Sequence, residues 1–92
     1  MPEVTFVIRW PDGREEGCYS PSTVIREHLS AQTDYSLEDF LSRALAGLDQ
    51  AALRVKAKYG SRCGMADAQA AQISAKAAKF SAEETVQCLS VT

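Results

Sequence analysis

Strand-like alternation at both ends of the chain, enclosing helical periodicity through its middle, points to an α+β domain. The implied order is ββαααβ: an N-terminal β-hairpin, three helices and a C-terminal strand completing a small three-stranded sheet. Three stretches carry this reading. Val4–Trp10 alternates between two faces and ends in Pro11-Asp12-Gly13; an apolar stripe steps by threes and fours from Leu37 to Tyr59; and Thr85–Val91 is rich in strand formers.

In the first strand Val4, Phe6, Ile8 and Trp10 share one face, and Thr5, Val7 and Arg9 the other. Pro11 presets φ for the first turn position, Asp12 suits the second, and Gly13 accepts a left-handed conformation, so a three-residue loop with a bulge is expected. That register sets Trp10 across from Arg14 and Phe6 across from Cys18, whose thiol then points into the core.

Ser20-Pro21 reads as an N-cap with proline at the first helical position, opening a short helix over about Pro21 to Leu29. Val24, Ile25 and Leu29 form its apolar face, and polar Ser30 to Asp34 read as a loop. Ser36 caps a longer helix, with Glu38 and Asp39 matching the positive end of its dipole. Leu37, Phe40, Leu41, Ala44, Leu45, Leu48, Ala52, Val55 and Tyr59 form its stripe, and Gly60 ends it.

After a connector from Ser61 to Gly64, a third helix is expected from Ala66, Ala70, Ile73, Ala77 and Phe80. Ser81-Ala82-Glu83-Glu84 resembles a capping box, which would open another helix, but the strand formers after it favour a strand joining the hairpin.

At 92 residues there is room for one domain, spanning 1–92, with a thin core. A net charge of -2 and a pI near 5.3 give no electrostatic basis for binding nucleic acid or an anionic membrane. Arg54, Lys56 and Lys58 cluster near Gly60, where cations complement a helix C-terminus. The start, Met1-Pro2-Glu3, shows no leader pattern and no run is long enough to span a bilayer, so a cytoplasmic protein is expected.

The three cysteines, Cys18, Cys63 and Cys88, are odd in number and widely spaced, which favours reduced thiols over a disulfide framework. With His28 the only histidine, no metal or cofactor is expected. Cys63 and Cys18 are the candidate nucleophiles: Cys63 stands beside Arg62 in a helix connector, and Cys18 at a strand-to-helix junction. For both, packing explains the thiol more simply. His28 lacks an evident partner for base catalysis, and the pairs Glu15-Glu16 and Glu83-Glu84 read as solvated. Trp10 and Arg14 at the turn are the candidate interaction surface, with Trp10 read equally well as the edge of the core or stacked on Arg14. These readings lean away from an enzyme.

Arg9-Trp10-Pro11-Asp12-Gly13, Cys18-Tyr19-Ser20-Pro21-Ser22, Tyr35 with Phe40-Leu41, and Arg54-Val55-Lys56-Ala57-Lys58-Tyr59-Gly60 with Cys63 together resemble a family of small bacterial nitrogen-starvation-response proteins, first named from mycobacteria. The likeness runs from Val4 to Phe80. Gly64 stands where family members carry a serine after the connector cysteine, which weakens a Cys-Ser pair as an active site. The resemblance implies a soluble bacterial protein induced under nitrogen limitation, with partners among proteins of a nitrilase-containing gene cluster. It brings no catalytic residues. The expected role is a non-catalytic accessory or interaction protein; the alternatives are a thiol-dependent enzyme or ligand-binding domain using Cys63, and a homodimer acting as a structural assembly.

Overall fold

A computed structural model describes residues 3–92; Met1 and Pro2, part of the segment read above for a leader, lie outside them. The strands are β1 (Val4–Arg9), β2 (Glu15–Ser20), β3 (Thr33–Ser36) and β4 (Thr85–Val91), and the helices α1 (Leu37–Tyr59) and α2 (Gly64–Ala77). The strands form one antiparallel sheet in the order β2-β1-β4-β3. The helices cover one face of it, where Phe6, Ile8, Cys18, Tyr35, Val86 and Cys88 meet Phe40, Ala44, Leu48 and Ile73 in a single core.

The hairpin register is the one its turn dictates. Gly13 takes φ 90°, its N–H donates to the Trp10 carbonyl at 2.9 Å, and the Trp10 N–H donates to the Arg14 carbonyl at 2.8 Å. Phe6 accordingly faces Cys18. The C-terminal strand covers Thr85–Val91 and pairs with β1, with the register shifting between Val7 and Ile8.

Two parts of the α+β expectation are corrected: the described residues form two α-helices and a four-stranded sheet, where three helices and three strands were expected. The short helix of Pro21 to Leu29 is only a 3-10 turn over Thr23–Glu27, capped by Ser22, whose hydroxyl accepts from the Val24 N–H at 3.3 Å. Ser20 cannot cap it, because Ser20 ends β2 and its hydroxyl donates to the Ser22 carbonyl at 2.8 Å. The loop of Ser30 to Asp34 contains the start of β3. This edge strand buries only Tyr35, so its sequence shows no alternation to read. Tyr35 Oη in turn accepts from the Ser30 N–H at 2.9 Å.

Ser36 caps α1 through the Asp39 N–H at 3.2 Å, and Gly60 closes it at φ 89°. The stripe outruns the core, however. Burial ends at Ala52, Val55 is half-buried, and Tyr59 is 63% exposed. The third expected helix stops at Ala77, and Phe80 lies in the turn beyond, where its N–H donates to the Ala77 carbonyl at 3.1 Å. Only half of the Ser81–Glu84 capping box forms: Glu84 Oε2 accepts from the Ser81 N–H at 2.7 Å, but the Glu84 N–H donates to the Ser81 backbone carbonyl at 3.1 Å, which closes a turn into β4 and opens no helix.

Candidate functional site

The hairpin turn and the end of α2 meet at one corner of the fold, around Trp10. Alternation along β1 sends its indole toward the helices, where it is 3% exposed. Phe40 meets it edge-on with centroids 5.9 Å apart, and Phe80 stacks on it at 5.9 Å. The same alternation along β2 turns Glu16, paired with Ile8, toward the helix side. A half-buried carboxylate there needs donors. Glu16 Oε1 accepts from the Trp10 Nε1–H at 2.9 Å and from Lys76 Nζ at 2.6 Å, so one oxygen ties the hairpin to α2.

A cleft of about 120 Å³ opens over this cluster, floored by Trp10 and Phe80 and walled by Asp12, Arg14, Glu15, Lys76 and Lys79. Asp12 Oδ1 accepts from the Arg14 N–H at 3.0 Å, and the Arg14 guanidinium reaches Asp12 at 3.7 Å while remaining 88% exposed. Glu15 pairs with Arg9 at 2.7 Å across the open face of the sheet, and Arg9 also donates to Gln87 Oε1 at 3.2 Å. Lys79 makes no ion pair among the described residues. The corner therefore presents an aromatic floor and a charged rim in which the cations Arg14, Lys76 and Lys79 stand against the carboxylates of Asp12 and Glu15.

Arg14 and Trp10 are thus brought to one cleft, Arg14 at its rim and Trp10 beneath it. Glu16, read from the sequence as solvated together with Glu15, is instead half-buried and paired, while the sequence singles out neither Lys76 nor Lys79. A signal for Glu16 was present: the register that sets Phe6 against Cys18 also sets Ile8 against Glu16, on the core side. Lys76 and Lys79 carry no comparable mark, since an exposed lysine near a helix end is ordinary.

The thiols lie elsewhere. Cys18 is buried beside Phe6, and its pKa is pushed up to about 12, chiefly by burial, then by the Glu16 charge, with Lys76 opposing. Burial also raises the Cys88 thiol. Cys63 is half-buried at the N-cap of α2 and makes no side-chain cap bond. The 14 residues of α2 put it roughly 20 Å of helix away from the cleft.

Tyr19 has its phenol pKa raised by burial first and then by the charges of Glu3 and Cys63. Its backbone N–H, on the outer edge of β2, donates to Gln69 Oε1 at 3.0 Å. The Nε2 of Gln69 is buried without a partner in the described residues. The motif around Cys18 is therefore tied to α2 through Tyr19 and Gln69, while the Cys18 thiol faces the core. His28 meets Gln50 Oε1 at 3.0 Å through Nε2. Among the described residues no helix is long and apolar enough to cross a membrane.

A family model described as nitrogen starvation-induced protein NitG matches residues 5–91. Comparison with curated proteins and with solved structures returned no match.

Proposed function

Because the chain belongs to the nitrogen starvation-induced NitG family, we propose that it is a small accessory protein without catalysis of its own, which binds a protein partner of the nitrogen-limitation response through the corner at Trp10 and Arg14. Proteins of a nitrilase-containing gene cluster, implied by the family resemblance, are the first partners to seek.

The observation that carries this reading is the state of the carboxylates. A general base needs a free, positioned oxygen near the proton it takes. Here Glu16 Oε1 already holds Trp10 and Lys76, Glu15 holds Arg9, and Asp12 serves its own turn. Their geometry stiffens the corner, leaving Arg14 and Lys79 to face outward. A rigid aromatic floor with a charged rim is the anatomy of a binding hot spot.

Affinity purification of the tagged chain from nitrogen-limited cells, at native expression, tests this. The expected result is a defined partner recovered with the unaltered chain and depleted with Arg14→Glu. A lone species under every starvation condition would overturn it.

A further inference from the structure

We propose that the cleft recognises an acidic polypeptide segment, which inserts one apolar side chain over Trp10 and Phe80 while its flanking carboxylates meet Lys79 and Arg14. This rests on the interaction reading above and names the chemistry of the partner.

Size limits what can enter. The cleft offers about 120 Å³. Pockets that enclose a cofactor or drug-sized ligand run to roughly 300–1,000 Å³. One side chain fits, and whatever carries it stays outside on the rim. The floor itself offers no free hydrogen-bonding group, since the Trp10 Nε1–H is taken by Glu16, so a side chain resting on it is apolar while polar groups meet the charged walls.

Charge selects what flanks it. The cleft's walls carry the cations Arg14, Lys76 and Lys79 against the carboxylates of Asp12 and Glu15, while Glu16 beneath and Arg9 on the open face of the sheet add one charge of each sign, leaving one positive charge over in a chain of net charge -2. Glu16 and Glu15 are held in short pairs, at 2.6 Å to Lys76 and 2.7 Å to Arg9. The unanswered charge is that of Lys79, and the loosest pair is Arg14 with Asp12 at 3.7 Å. Rim charges of this kind choose partners by sign and govern how fast they arrive. A basic segment would be repelled where an acidic one is drawn in.

The chain has a single tryptophan, so its indole N–H gives one amide-type resonance that reports on the cleft floor. The full labelled chain is titrated by two-dimensional NMR with the capped pentapeptide Asp-Glu-Leu-Glu-Asp. Saturable shifts at Trp10, Lys79 and Phe80 are expected. Replacing the peptide's leucine by serine, or its four acids by lysine, should each weaken binding by roughly tenfold or more, and so should Lys79→Glu on the protein.

No shift at these residues, or equal shifts from the lysine peptide, would overturn the proposal. So would free benzoate binding as tightly as the peptide, since that would mark a small-acid site. The titration uses purified chain alone. If it succeeds while no partner co-purifies, the interaction reading falls and the recognition chemistry stands. If a partner co-purifies equally with Lys79→Glu and the peptide fails, only this inference falls.

Discussion

The indole N–H of Trp10 donates to the Glu16 carboxylate at 2.9 Å, joining the two strands of the hairpin on the side that faces the helices. The same oxygen takes Lys76 at 2.6 Å, so Glu16 connects β1, β2 and α2.

Glu16→Ala removes the shared acceptor and leaves the buried indole N–H unanswered. The expected cost is about 1–3 kcal/mol of stability, read from the urea midpoint at unchanged m-value. The tryptophan resonance should shift in the folded state. An unchanged midpoint would show that water replaces Glu16 freely.

Gly47 lies on α1 against the 3-10 turn. A Cβ there would stand 2.5 Å from Ile25 Cδ1 and 3.2 Å from the His28 ring. In a free helix Gly→Ala gains about 1 kcal/mol. Here Ile25 is fully buried, so overpacking of about 1–3 kcal/mol opposes that gain. Gly47→Ala should therefore destabilise, and adding Ile25→Val, which removes Cδ1, should recover part of the loss in a double-mutant cycle.

Much of this fold could be read from residue patterns, and the failures share a cause. Pro11-Asp12-Gly13 and Gly60 act through their own backbone, and the Ser36 hydroxyl acts on a backbone N–H three residues on, so the turn, the cap and the stop were visible locally. The strand β3 was not, since it forms because β4 offers an edge beside it and only Tyr35 turns inward. The stripe of α1 showed which face is apolar but not where the sheet beneath it ends, hence the exposed Tyr59. Around the candidate site, the closeness of Trp10 and Arg14 was legible from the turn, whereas the burial of Trp10 to 3% exposure was one of two readings left open there. The cleft was not, because Lys76, Lys79 and Phe80 come to it from more than sixty residues away in the chain.

Thiol accessibility separates the accessory reading from a thiol enzyme. Cys63 should be alkylated in the folded protein, while Cys18, its thiol pushed to about 12, and Cys88 should react only on unfolding. Pulsed alkylation with peptide mapping gives the order. A Cys63 that alkylates with an apparent pKa well below ~8.5 would favour the thiol enzyme.

The connector is clasped by Arg62, which reaches Asp67 at 2.7 Å and Asp49 at 2.9 Å. The hydrogen bond from Arg62 is the main cause that holds the Asp67 carboxyl below its usual pKa, with desolvation opposing. A carboxylate lowered on folding contributes stability that is full above its unfolded pKa and is lost as pH falls through its folded one. Stability should accordingly drop on going from about pH 6 to about pH 2.5, and Asp67→Asn should shrink that drop. Urea midpoints at the two pH values measure it. An Asp67 carboxyl that titrates in the ordinary aspartate range by carbon NMR would contradict the clasp.

The central claim is that the hairpin corner is where a partner binds, and hydrogen exchange of the purified complex locates the contact directly. Protection is predicted over Trp10–Glu15 and Lys76–Phe80, with little change at the connector. Protection confined to Tyr59–Met65, where two large apolar side chains are exposed, would contradict the account.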